Sequence, residues 1–304
     1  MKTSLKNFGF TRKSGILMPV SSLPCVYGIG SFGKSAYKFI DFLKEASVKC
    51  WQVLPLNPTS YGDSPYQSPA AVAGNPYFID LEILAKKKLL TKDELAANKH
   101  DTERVDYGWL YEGRSALLER AADRGLERCE EEAARFMEEQ RDWLDDYALF
   151  MALKVHYGYR PWTQWETCHK DVHQARTQMD AFAGECGFWK WIQYTFMKQW
   201  RAVCDYAHDK GILIIGDMPI YVAHDSMDVW RAPDQFLLDE NYNPTVVAGC
   251  PPDGYSPDGQ LWGNPIYNWE KQEKEGFTWW IARVGAAYRR YDIHPRSRYT
   301  YRCC

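Results

Sequence analysis

The chain has no run of roughly 18 apolar residues that would cross a bilayer, and Met1 to Gly15 lacks the apolar stretch of a secretory signal. Both absences speak against a membrane and for the cytoplasm. No block of Lys and Arg occurs, and 37 basic against 40 acidic residues leave a formal net charge of -3. That balance gives no electrostatic reason to expect nucleic acid or an acidic surface as partner. The nine cysteines are scattered, and no Cys-x-x-Cys pair points to zinc or redox chemistry. An odd, dispersed set fits free thiols in a reducing compartment. There is no internal repeat, and 45% hydrophobic with 25% charged residues excludes a disordered chain. What is present in excess is aromatic: 13 Trp and 20 Tyr are more than a core of this size needs. Sugar rings bind by laying their C–H faces on such side chains, although core packing also uses them.

Along the chain, Gly15 to Val20 is a short apolar run with a proline at its exit and reads as a buried strand. Ala36, Phe39, Ile40, Leu43 and Ala46 fall on one helical face, and Cys50 to Leu56 supplies a second strand. A third strand is expected within Gly211 to Val222, after a helix whose inner face is Ile192, Phe196, Trp200, Val203 and Ala207. Repeated strand–helix–strand units imply α/β architecture with a parallel sheet.

Residues 59–186 are too many for a loop, so an inserted, mainly helical subdomain is expected there. Its clearest helix runs from Asp142 to Tyr157, with Trp143, Leu144, Tyr147, Met151 and Val155 on one side. The Glu- and Arg-rich run from Leu118 to Gln140 reads as a solvated helix. Glu240 to Pro265, rich in Asn, Pro, Gly and Asp, reads as a long ordered loop at the C-terminal end of a strand. A helix from Trp269 to Arg290 should follow, with the stripe Phe277, Trp280, Ile281, Val284 and Tyr288, and a fourth strand should begin near Tyr291. The expected division is therefore 1–58 (first βαβ unit), 59–186 (insertion), 187–293 (third βα unit, with a cover loop at 240–265) and an aberrant tail at 294–304.

Several blocks carry a family pattern: Ser21-Ser-Leu-Pro24, Gly28-Ile-Gly-Ser-Phe-Gly33, Trp51 to Pro58, Ser64-Pro-Tyr-Gln-Ser68 and Ala73-Gly-Asn-Pro-Tyr77. Ile214 to Trp230, Ala248 to Asp253 and Gly259 to Tyr267 continue it. In order and spacing these resemble the amylomaltase, or 4-α-glucanotransferase, family over Gly15 to Asp292. The resemblance implies a (β/α)8 TIM barrel of the α-amylase superfamily, of which this chain carries about three strands. It implies transfer of α-1,4-glucan segments between maltooligosaccharides or starch- and glycogen-type chains, with glucose as an acceptor and no cofactor or metal. Such chemistry needs two carboxyl groups, one attacking C1 and one serving the leaving and accepting oxygens.

By the same resemblance, Tyr66 is a sugar-stacking residue, Asp217 bonds sugar hydroxyls or an arginine, and Trp262 and Asn264 face bound glucan. Asp253 is a further hydroxyl contact. Four of them have a plainer alternative in their local sequence: loop packing for Tyr66, a strand-end brace for Asp217, a hydrophobic anchor for Trp262, and a turn former for Asp253 between Pro252 and Gly254. No catalytic residue is carried over. Where the family continues Tyr291-Asp-Ile293 with Arg-Ile-Asp-His-Phe-Arg-Gly, this sequence has His294-Pro-Arg296, and the family's Glu and second Asp come later still. The expectation is a truncated chain, inactive and poorly folded, or alternatively a non-catalytic glucan-binding fragment. Smaller departures are Pro69, Ala70 and Val72, and Cys250, Gly254 and Tyr255 in the cover loop.

Two other patterns are weak. Cys168, His169 and His173 have no fourth ligand and read as a surface helix. Gly28 to Gly33 has the letters of a dinucleotide fingerprint but no acidic strand end about 20 residues on, and reads as loop turns.

Overall fold

Three apolar runs, Gly15–Leu17 (β1), Cys50–Gln52 (β2) and Leu213–Ile215 (β3), pair in the computed structural model as one parallel sheet in the order β1-β2-β3. Residues 12–60 and 62–292 are described. Ile16 pairs with Trp51, and Trp51 with Ile214. The paired strands are shorter than the apolar runs because each leaves the sheet through a proline, Pro19, Pro55 and Pro219. A proline has no N–H with which to continue a ladder. Parallel pairing puts the three carboxyl ends at one end of the sheet, which is where α/β folds place their sites.

Helix α1 (Lys34–Glu45) carries the chain from β1 to β2 and buries Ala36, Ile40 and Leu43. Phe39 meets Trp51 edge-on at 5.2 Å, and Ala46 is only the exposed C-cap. Between β2 and β3 come α2 (Leu81–Lys86), α3 (Lys92–Ala97), α4 (Tyr107–Leu126), α5 (Glu131–Glu139), α6 (Arg141–His156), α7 (Thr167–Lys170) and α8 (Val172–Arg176). The long α9 (Ala183–Asp209) then returns to β3.

All five residues expected on the inner face of α9 are buried. Phe196 and Trp200 each lie 5.1 Å from Phe32, so α9 joins the sheet to the helices packed on its other side. Each large apolar side chain so buried contributes about 1.5–3 kcal/mol.

The charged run at 118–140 is two helices rather than one solvated helix. α4 ends at Leu126 and α5 begins at Glu131, with Cys129 in the left-handed region between them. Leu118, Ala121, Ala122, Ala133 and Phe136 are buried among the charges, so the apolar residues of this run do the packing. α6 differs as well. It is buried from Asp146 to Lys154 and not along one stripe, while Val155 is exposed. Two charges are therefore inside, and both are paired. Asp146 receives Arg176 and Arg231, each at 2.8 Å, and Lys154 donates to Asp225 at 2.6 Å and to two carbonyls.

After β3 follow α10 (Met227–Arg231), β4 (Val247–Cys250), β5 (Gln260–Pro265), α11 (Trp269–Lys274) and α12 (Thr278–Tyr288). The expected loop at 240–265 contains an antiparallel ribbon, β4 with β5, irregular between Val247 and Gly249. The expected helix from Trp269 to Arg290 is broken, because Gly276 (φ 65°) and Phe277 (φ 57°) are left-handed, a region glycine tolerates. Its predicted stripe is largely outside: Ile281 is 66% and Tyr288 60% exposed, and the buried face carries Arg283 and Ala287. Tyr291 is buried, and Asp292 bonds the free edge of β3 through its N–H to Ile214 O (3.1 Å) and its carboxylate to Ile214 N–H (2.8 Å). Residues 293–304, which include the stretch 294–304 expected to be an aberrant tail, lie outside the described residues. No described helix is long and apolar enough to cross a membrane.

Candidate functional site

The segment from Val53 to Asn75, which leaves β2, is held by its main chain. Buried Asn57 donates its amide to the carbonyls of Ala70, Ala71 and Ala73 at 3.2, 2.7 and 3.0 Å. Gln193 of α9 exchanges two hydrogen bonds with Gly74, and the Asp228 carboxylate accepts from Ala71 N–H at 2.7 Å. Burial raises the Asp228 pKa, and the Ala71 N–H works against that shift. Arg290 donates to the Val72 and Ala73 carbonyls. These anchors grip backbone atoms and do not depend on the side chains of Ala70 and Val72.

This scaffold carries Tyr66 to the carboxyl end of β3. Its phenol donates to Asp217 Oδ2 at 2.7 Å across 151 residues of sequence. Burial, then the hydrogen bond to Asp217, raises the Tyr66 pKa, so the phenol stays a proton donor at neutral pH. Asp217 follows Gly216, where the Tyr291 ring packs so closely that an added Cβ would lie 2.1 Å from it. Only glycine fits there, and the tight contact fixes where Asp217 leaves the sheet.

The ribbon supplies the opposite wall. Asn264, buried on β5, donates to Val222 O at 2.8 Å and accepts from Gln67 Nε2 at 3.0 Å. Gln67 also donates to Trp262 O at 3.3 Å. Trp262 is 37% exposed, donates its indole N–H to Gln260 Oε1 at 2.9 Å, and lies 6.2 Å from the Tyr221 ring. Four of the expected residues, Tyr66, Asp217, Trp262 and Asn264, are thus linked through direct contacts or through Gln67.

Asp253 stands apart. At the ribbon's exposed tip its carboxylate accepts from Tyr255 and Ser256 N–H, both at 2.8 Å, and it closes its own turn. The structure therefore gives it the turn-forming geometry. Gln67, which ties loop to ribbon, is the residue that sequence reasoning passed over. It lies inside the Ser64 to Ser68 motif, but a neutral amide offers neither charge nor ring to draw notice.

The weak metal pattern also changes. His169 and His173 sit on different helices, α7 and α8, and His169 is buried rather than on the surface. Its ligand atom lies within 4.8 Å of those of Glu166 and Cys168, yet both ring nitrogens are engaged, by Tyr157 Oη at 2.7 Å and Gln178 Oε1 at 3.0 Å. Gly28 to Gly33 forms the turn into α1, where the Asp80 carboxylate, bonded to Ser31 Oγ at 2.8 Å, packs against Gly33.

A three-stranded parallel sheet with Tyr66, Asp217, Gln67 and Asn264 joined by hydrogen bonds beyond its carboxyl ends defines an α/β protein. The sequence model described as 4-alpha-glucanotransferase matches residues 18–294. The chain is 48% identical over 284 residues to a 4-alpha-glucanotransferase of Clostridium butyricum, covering 91% of this chain and 58% of that protein. It is 47% identical over 282 residues to one of Thermus thermophilus, covering 91% and 56%. Among solved structures, the amylomaltase of Streptococcus agalactiae in complex with acarbose superposes with a TM-score of 0.88 at 42% identity, over 93% of this chain and 59% of that one. Amylomaltase from Corynebacterium glutamicum shares the fold, with a TM-score of 0.66 at 19% identity over 92% and 40%. The chain belongs to the 4-alpha-glucanotransferase family. It spans between half and three-fifths of the length of the curated relatives above.

Proposed function

We propose that this chain forms the glucan-binding side of an enzyme that transfers α-1,4-glucan segments between maltooligosaccharides or starch- and glycogen-type chains in the cytoplasm, with glucose as an acceptor. In this reading β1, β2 and β3 are the first three strands of a (β/α)8 barrel, residues 59–186 an insertion, and β4 and β5 the cover over the donor sugar. The observation that carries it is the Tyr66–Asp217 hydrogen bond at the carboxyl end of β3, with the next residue, Gln67, bonded to Trp262 O and to Asn264 on the ribbon. Asp217 accepts sugar hydroxyls there, the half-open Tyr66 and Trp262 rings take the C–H faces of glucose units, and Asn264 with Gln67 fixes the ribbon over them.

Covalent transfer by double displacement needs a nucleophile and an acid/base carboxyl close together, and the family resemblance assigns neither role to a residue of the quoted motifs. For this chain alone the reading is therefore binding without turnover. Support comes from the acarbose bound in the streptococcal relative.

Calorimetric titration with acarbose tests the proposal. Saturable binding that is lost in Asp217→Asn and weakened in Tyr66→Phe is expected, while a flat titration of the folded parent chain rejects it. Incubation with maltotriose should release no glucose. Glucose together with longer oligosaccharides would mean that this chain holds its own catalytic carboxyl pair.

A further inference from the structure

Arg283 is the inward-facing charge of α12, 4% exposed and lying over the rings of Trp279 and Trp280 with its guanidinium carbon 5.4 and 5.1 Å from their centroids. It donates to Pro219 O, to Ile220 O at 3.1 Å and to Tyr267 Oη at 2.7 Å. Tyr267, just past β5, in turn donates to Ile220 O at 2.8 Å. With Asn264 bonded to Val222 O, three carbonyls of the segment leaving Asp217 are taken by side chains of the ribbon and α12. The charge of Arg283 also stabilises the buried Asp228 carboxylate, whose oxygen holds Ala71 in the loop that bears Tyr66. One side chain is thus connected to all three walls of the cleft.

Its burial is not favourable in itself, since Nε finds no acceptor and a buried charge with incomplete partners commonly destabilises relative to an apolar residue of similar size. What a guanidinium supplies, and an apolar residue lacks, is a planar fork that fixes several acceptors at set angles.

We propose that Arg283 is a positioning residue: without touching the ligand, it sets the path of the segment after β3 and the root of the ribbon so that Asp217, Tyr66 and Asn264 meet. The consequence for sugar affinity rests on the glucan-binding reading, whereas the alignment itself does not.

Two readouts separate them. Protein labelled with 13C at tyrosine Cζ reports the Tyr66–Asp217 hydrogen bond, with the resonance assigned by its absence in Tyr66→Phe and its broken-bond position given by Asp217→Ala, which removes the acceptor. Arg283→Lys should move the Tyr66 signal most of the way to that position, and Tyr267→Phe, which removes a single hydroxyl, should move it part of the way. Acarbose affinity should fall about tenfold or more in Arg283→Lys, as expected when a binding group is displaced by a fraction of an ångström. Arg114→Lys is the control for general loss of stability, because Arg114 is a similarly buried arginine, here bonded to Tyr27 O. It should lower the melting temperature and leave Tyr66 in place. An unmoved Tyr66 resonance in folded Arg283→Lys and Tyr267→Phe overturns the proposal, as does an equal shift in Arg114→Lys. If the resonance moves but the parent chain binds no acarbose, the positioning role stands and the glucan reading falls.

Discussion

Helices α9 and α12 both carry an apolar stripe at helical spacing, and the molecule treats them in opposite ways. On α9 the stripe is buried between Phe32, Trp51 and the sheet, whereas on α12 Ile281 and Tyr288 face outward and the inner face holds Arg283 and Ala287. A stripe states that a face exists to be covered. It does not state by what, because the covering partner is set by topology. α9 meets its partners within the described chain, since α1, α4, α6 and β3 pack on it and Trp51 of β2 meets Trp200. α12 follows the last described strand, and its inner face is spent on fixing the segment behind Asp217.

Five substitutions test that contrast. Phe196→Ala removes a ring buried against Phe32 and should cost about 3–5 kcal/mol in a urea titration. A cost near 1 kcal/mol, typical of an average substitution, would mean that the α9 face is loosely packed in solution. Asn57→Ala removes a shared donor from three loop carbonyls, of which Ala70 keeps Ser68 Oγ and Ala73 keeps Arg290, and should cost about 1–3 kcal/mol. It should also weaken acarbose binding, which a purely apolar defect on α9 need not do.

At the rim of the helical layer, Thr91→Ala removes the N-cap of α3, whose capping box with Glu94 is complete, and should cost about 1 kcal/mol. Hydrogen bonding to Arg124 first, and to Thr91 N–H next, holds the Glu94 carboxyl down at about 2 against an ordinary 4.5. A depressed carboxylate stabilises the fold above its unfolded pKa. That contribution is therefore full above pH 4.5 and fades as pH falls toward about 2. Thermal melts of Glu94→Gln across this window should show a shallower acid limb than the parent. The smallest effect is expected for Ile281→Ser, within roughly 0.5 kcal/mol. A larger loss, or a change in sedimentation with protein concentration, would show that the α12 face is covered after all.

Much of the architecture is legible along the chain. The three strand cores, each ended by a proline, and the five-residue face of α9 follow from local pattern. Tyr66, Asp217, Trp262 and Asn264 stand in motif blocks that the fold brings together. Other features escape a linear reading. Asp146 and Lys154 look like the polar side of α6 but are buried, since Arg176, Arg231 and Asp225 arrive from distant segments to neutralise them. The break between α11 and α12 depends on one glycine and one strained phenylalanine, in a run that otherwise keeps a helical period.

The sequence alone determined the class of the fold, its family and the residue types of the cleft, because apolar period, proline exits and motif spacing are local properties. Tertiary structure decided which faces are buried, that Asp253 closes a turn while Gln67 bridges loop and ribbon, and that Arg283 holds the strand exit. Those outcomes rest on hydrogen bonds between residues far apart in the chain, whose angles and distances exist only once the sheet, ribbon and helices have packed.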